Sequence, residues 1–331
     1  MHSQAPAQSR RLSSIVNRPG SGMVIFLIVV SIAMSFVSPF FLTWMNWANI
    51  LNQSALLILL AMGMTIVLIG GGIDLSVGAI AALSAGVVAW LIATVGLPLW
   101  LALIAGICVG LALGILNGLI IAVMRIPDFV TTLAMLALIR GVLFVWTQGV
   151  PLINYSSKPY MMLGGLTRLP FSLTVPEFIT AAILIVGILI MKDSRVARHL
   201  KATGENPDIA RLSGVDVKRI KIGTYAISGL LAGIAGVLMA GRLGTVQPNM
   251  ASGIEVQALA AAIIGGAALT GGKGSLVGAA LGALVLVVIQ NVINLSGIPP
   301  VFETFVIGMV ILVVIIMERA SAIFAVRART A

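Results

Sequence analysis

Charge is what this sequence has least of. Of its 331 residues, 20 are Lys or Arg and 10 are Asp or Glu, together 9%, where an ordinary soluble domain carries roughly 25%. A chain that is also 60% hydrophobic cannot hide its apolar surface from water, which excludes a soluble globular fold. One cysteine, Cys108, leaves no disulfide and no cysteine metal site to build. The two histidines, His2 and His199, fall in the N-terminal tail and in a charged loop, away from any catalytic constellation. No HExxH, nucleophile elbow or nucleotide fingerprint occurs. The glycine-rich stretch 265–275 resembles a phosphate loop, but that motif needs Gly at 267 and Ser or Thr directly after Lys273. Ala267 and Gly274 stand there instead. The chain is therefore expected to bind no cofactor or metal, to hydrolyse no ATP by itself and to be no enzyme.

What the sequence does have is apolar length. Runs close to the ~20 residues that cross a ~30 Å hydrocarbon core recur at 23–42, 50–70, 75–95, 99–124, 129–149, 176–191, 222–241, 254–270, 275–295 and 301–318. They predict an all-α polytopic membrane protein of about ten transmembrane helices. A tail at 1–22 precedes a transmembrane domain over 23–318, and a second tail covers 319–331. The first run is long for a signal peptide and lacks a small-x-small cleavage site, so it reads as a retained span.

Cations set the orientation. With the N-terminus inside, the inner segments hold Arg10, Arg11, Arg18, Arg125, eight Lys or Arg between 192 and 221, Lys273, Arg319, Arg327 and Arg329. The outer loops hold only Lys158, Arg168 and Arg242, and Arg140 lies within span 5. This positive-inside bias predicts cytoplasmic termini and an even number of spans. The net charge of +10 is thus explained by topology and calls for no nucleic-acid partner.

Glycines mark where helices should touch. Gly106, Gly110, Gly114 and Gly118 line one face of span 4, and Gly274, Gly278 and Gly282 repeat the spacing at span 9. Small residues let backbones approach closely in lipid, so these are read as packing positions. Asn117 with Ile126-Pro127 and Asn291 with Ile298-Pro299 echo each other five spans apart. That parity fits an inverted-topology repeat. A second echo, around Ile69-Gly70-Gly71 and Ile264-Gly265-Gly266, has a different register.

Polar groups within or beside spans are the candidates for a translocation pathway or gate: Asp74, Asn117, Thr131, Thr132, Arg140 and Asn291. Each has a structural alternative. Arg140 either serves a pathway or staples span 5 to carbonyls or a carboxylate. Asp74, after three glycines, either lines a helix break or caps span 3. The other four either meet a solute or hydrogen-bond between helices. Asp74, Glu255 and Glu303 all read as inexpensive span-end charges.

The segment 192–221 is the one wet island. It carries eight of the 20 cations and four of the 10 acids. Asn206 suits an N-cap, Pro207 the first helical position, Asp208 the positive helix end and Gly214 a left-handed C-cap. The result is a helix of about two turns with Ile209 and Leu212 on one face. It fits either a groove in a partner protein or a bed of anionic lipid headgroups.

Residues Gly204 to Val215 resemble the "GGN..AARLSGI" cytoplasmic segment of membrane permeases in ribose-, xylose- and arabinose-type ABC importers. Gly71 to Gly78, Ile126 to Gly141, Glu255 to Gly266 and Gly271 to Gly278 are similar to further family segments, in family order. The resemblance implies a homodimeric permease in a bacterial inner membrane, importing a monosaccharide or related polyol. It also implies an ATPase partner, separate or fused in tandem, that binds the ATP and magnesium, and an extracytoplasmic sugar-binding protein. The ATPase-coupling residues carried over are Gly204, Glu205, Asn206, Ala210, Arg211, Leu212 and Gly214. Glu205 and Arg211 depart from the family's usual Gly and Ala, and Glu303 from a frequent Gln. A permease for branched-chain amino acids or nucleosides is the alternative, followed by an ion-gradient-driven carrier.

Overall fold

Glycine and proline interrupt the apolar runs, and helices stop where they stand. The computed structural model describes residues 21–153, 157–165, 169, 173–299, 302, 305–309, 312 and 316. Twelve helices are bounded among them: α1 (Ser21–Val37), α2 (Trp44–Ile69), α3 (Val77–Ala93), α4 (Leu99–Met124), α5 (Asp128–Thr147), α6 (Lys158–Leu163), α7 (Val175–Asp193), α8 (Arg195–Glu205), α9 (Pro207–Leu212), α10 (Val217–Leu243), α11 (Ile254–Ile264) and α12 (Leu276–Leu295). Among the described residues the only extended pairing is a bridge between Leu152 and Val246.

Six helices, α2, α4, α5, α7, α10 and α12, are long and apolar enough to cross a membrane. The chain is a multi-pass membrane protein. The apolar helices α1, α3 and α11 are shorter. Residues 1–20 of the first tail, the second tail at 319–331, most of the tenth run at 301–318, and Glu303 fall outside the described residues, and the last two residues of the 1–22 tail already belong to α1.

Local chemistry explains the helix ends. Thr43 opens α2 by accepting the Asn46 amide, and Gly70 closes it, followed by Gly71 at φ 75°. Pro98 and Pro127 precede α4 and α5, and Arg125 ends α4 in the left-handed region at φ 58°. α11 is shorter than its run at 254–270 promised. Gly265 stops it after 11 residues, which is about 16 Å, half a hydrocarbon core.

At the centre, α10 packs on α4, α2 and α3. The α4 glycines make this possible. A Cβ on Gly110 would stand 2.5 Å from the Gly229 carbonyl oxygen and 2.7 Å from Gly233 Cα. Gly114 faces Gly229, Gly118 faces Ile222, and Gly106 faces Ser84, Val88 and Val237. On another seam Gly278 and Gly282 meet Gly265 and Ala261 of α11, while Gly274 meets the Ile69 side chain. Such contacts gain their stability from close packing, because lipid offers helices no hydrophobic drive to associate.

The charged segment is more helical than its composition suggested. α9 was expected, but α8 precedes it, and the first turn of α10 takes up Val217–Lys221. Ser194 caps α8 by accepting the Ala197 amide. Ala197, Leu200, Thr203 and Gly204 are buried on one face, while Arg195, Arg198 and Lys201 are exposed. The run of polar residues concealed this helix, because its apolar face is only one residue wide at each turn.

Candidate functional site

Three polar arrangements stand out, and the first lies inside the bundle. The link 70–76 between α2 and α3 carries Asp74, whose side chain is fully buried. Its carboxylate accepts the Ser76 amide at 3.0 Å, the Ser76 hydroxyl at 2.6 Å and the Ser228 hydroxyl at 2.8 Å. The Asn117 amide donates to Ser76 Oγ at 2.8 Å, while Asn117 Oδ1 is buried without a partner among the described residues. One network thus joins the α2–α3 link to α4 and α10. Beside it, the Thr132 hydroxyl lies 2.9 Å from the Asp128 carbonyl and 3.2 Å from that of Ile73. Thr131 is buried, and its hydroxyl has no partner among the described residues. Asn291 stands apart, exchanging amide hydrogen bonds of 2.8 and 3.0 Å with Asn46 across α12 and α2.

The second arrangement surrounds Arg140. Its Nη1 donates to the Met250 carbonyl at 2.7 Å and to that of Pro248 at 3.4 Å, so α5 grips the chain leading into α11. Glu255, in the first turn of α11, accepts the Gly253 amide at 3.1 Å through Oε1. Its Oε2 is buried with no partner among the described residues and lies over Gly78, where a Cβ would collide with it and stand 2.7 Å from the Ala251 carbonyl oxygen. Asp74 and Glu255 read from sequence as span-end charges made inexpensive by snorkelling or capping. Both are buried, Asp74 0% and Glu255 9% exposed, and each accepts a backbone amide at the start of its own helix. The cause is that their helices begin inside the bundle, at glycine-made breaks. For Asp74 the three preceding glycines were a usable signal; for Glu255 Gly253, at φ 84°, was the only one.

The third arrangement is the charged end. Asn206 Oδ1 accepts the amides of Asp208 and Ile209, both at 3.0 Å, and Gly214 closes the turn at φ 82°. Ile209 and Leu212 are 61% and 89% exposed. Arg211 pairs with Asp208 at 3.1 Å in full view of solvent. The seven residues singled out in this segment divide into two groups. Glu205, Asn206, Arg211, Leu212 and Gly214 are exposed, whereas Gly204 and Ala210 are buried.

Ala210 packs with Val215 and Val217, holding α9 to the start of α10. Gly204 is wedged against the end of α2. A Cβ there would strike the Ile69 carbonyl and stand 2.7 Å from the Gly272 amide nitrogen. That same amide donates to Ile69 at 2.9 Å, and Gly71 and Gly271 close the junction from either side. The glycine-rich stretch that resembled a phosphate loop is thus the turn between α11 and α12, bent at Gly266, Gly271 and Gly272. Among the described residues no group of three or more His, Cys, Asp or Glu is placed to hold a metal ion.

Known proteins supply the last observations. The ribose import permease protein RbsC of Escherichia coli (strain K12) is 36% identical over 297 residues, 89% of this chain and 92% of that protein. RbsC of Bacillus subtilis (strain 168) is 35% identical over 301 residues, 91% and 92% of the two chains. The L-arabinose ABC transporter permease protein AraH of Azospirillum brasilense is 32% identical over 316 residues, 95% and 91%. No solved structure matches the chain. Residues 46–315 match one family over most of the sequence, and the chain belongs to it: the permease component of the branched-chain amino acid transport system family.

Proposed function

We propose that this chain is the membrane-spanning permease of an ATP-driven importer for a monosaccharide, a pentose, hexose or related polyol. The observation that carries the reading is the capped helix α9, which displays Ile209 and Leu212 to solvent beside a backbone junction with the bundle. Apolar side chains held out on a rigid two-turn helix suit a groove in a soluble partner. The partner is an ATPase subunit, separate or tandem-fused, that holds ATP and magnesium. Its closure moves α8 and α9, and through Gly204 the ends of α2 and α12. Relatives named for ribose and arabinose support a sugar over the branched-chain amino acids of the family description.

The full assembly pairs two copies of the chain in a bacterial inner membrane and receives solute from an extracytoplasmic binding protein. Each copy has ten spans with cytoplasmic termini and an inverted repeat. Asp74, Asn117, Thr131, Thr132, Arg140 and Asn291 stand on or beside the pathway. Arg140 acts as a staple that positions the chain leading into α11.

Uptake of labelled ribose, xylose or arabinose into proteoliposomes tests this. Transport is expected only with ATP, the ATPase and a sugar-loaded binding protein together. Uptake by the purified chain alone overturns the reading, and isoleucine or leucine bound by the cognate binding protein overturns the substrate class. Leu212→Asp should cut ATP-dependent uptake by more than about tenfold with the amount of inserted protein unchanged, because a charge entering an apolar groove costs several kcal/mol. Wild-type coupling in that variant removes α9 from the docking role.

A further inference from the structure

Next to α9 lies a cavity of ≈ 550 Å³ that the transport reading does not use. It is enclosed by the α4–α5 link, α9 and the first turn of α10. Its charged lining is Arg125, Arg211, Lys218 and Lys221 against a single acid, Asp128. Asp128 is already engaged with Lys221 at 3.4 Å, and Arg211 with Asp208. Arg125 and Lys218 enter no ion pair among the described residues. Four cations around one acid, two of them uncommitted, form a site for an anion. Asp128 and Val217, the first residues of α5 and α10, are part of its lining.

The walls say which kind of anion. Immediately beside Arg125 and Asp128 stand Val123, Met124, Phe129 and Val130, which are 55%, 65%, 53% and 53% exposed. They lie on the last turn of α4 and the first turn of α5, flanking the cavity's Arg125 and Asp128 in sequence. A ligand matched to both surfaces has a phosphate at one end and hydrocarbon at the other. We propose that the cavity between the α4–α5 link, α9 and α10 binds the phosphate of an anionic phospholipid, with its acyl chains along Val123, Met124, Phe129 and Val130. A lipid held there touches α9 through Arg211 and Pro207, so membrane composition would tune the position of the docking helix. The inference stands whichever solute the chain carries.

Native mass spectrometry of the purified full-length chain tests it, with phosphatidylglycerol titrated against phosphatidylcholine and inorganic phosphate. Wild type should retain phosphatidylglycerol in preference to phosphatidylcholine. Arg125→Gln or Lys218→Gln should each weaken retention about fivefold, and the double variant about 25-fold. Lys218 is exposed on the first turn of α10, so K218Q folds even if Arg125 proves necessary for the turn. Arg219→Gln is the control, since Arg219 pairs with Asp216 outside the cavity, and it should leave retention unchanged. Equal loss with R219Q would reduce the effect to diffuse surface charge. Equal retention of phosphatidylcholine, or displacement of the lipid by millimolar inorganic phosphate alone, would likewise overturn the lipid site.

Discussion

Helices α2 and α7 have the same mean hydropathy over their most apolar windows, 2.0, yet 83% of the α2 window is buried and only 11% of the α7 window. Hydropathy therefore marks which segments sit in lipid and says nothing about which face protein. The distinguishing residues are the small and polar ones. α2 buries Asn46, Asn52, Ser54, Gly63 and Thr65, while α7 buries only Pro176 and Thr180. In a bilayer, close approach and interhelical hydrogen bonds hold helices together, and large aliphatic side chains are as comfortable against acyl chains as against each other.

The contrast is sharpest at Gly63 of α2. A Cβ there lies 3.2 Å from Ser228 Cα and 3.5 Å from its carbonyl oxygen, main-chain atoms that cannot step aside. Gly63→Leu is expected to destabilise by about 3 kcal/mol or more, seen as loss of the monodisperse peak in detergent gel filtration. A leucine tolerated there would mean α2 is not central. Asp74→Ala ranks second, at about 2 kcal/mol in thermal unfolding, because it strands the hydroxyls of Ser76 and Ser228 and the Ser76 amide. Next is Asn52→Ala, which removes a polar tie from α2 to the cap of α7, a 2.6 Å bond to Thr174 Oγ1. About 0.6 kcal/mol is expected. Leu189→Ala on α7, at a position 66% exposed, should change stability by less than about 0.5 kcal/mol. A larger loss would show that α7 is covered by protein, as a second copy would cover it.

Some of this was legible in the sequence because the signals are local. α4 spans Leu99–Met124, as its run between Pro98 and the Arg125-Ile126-Pro127 stop requires, and the cap at Asn206 and the turn at Gly214 follow from single residues. What was hidden depends on partners distant in sequence. α8 reads as loop because its buried face is only Ala197, Leu200, Thr203 and Gly204, and those residues gain meaning only against the bundle. The burial of Glu255 was hidden too, since the acid sits at a helix start and only the third dimension shows that the start lies inside the bundle, whereas the three glycines before Asp74 were a local sign of its helix break. Ala210 and Gly204 were carried over from the family resemblance with the other coupling residues of the segment. Nothing local reveals that two members of a surface motif turn inward.

The meeting of Gly204 with Ile69, Gly71 and Gly272 has a mechanical side. Contacts between side chains contain slack, because rotamers can shift and swallow a displacement of an ångström before it travels. Here main chain bears on main chain, and there is no rotamer to spend. A lever arm that pivots on such a fulcrum has no play in it. The end of α8 either carries along α2 and the α11–α12 turn, which the Gly272–Ile69 hydrogen bond ties together, or loses its contact with both and separates. A permease built on that joint moves between discrete positions and has little capacity for intermediate ones.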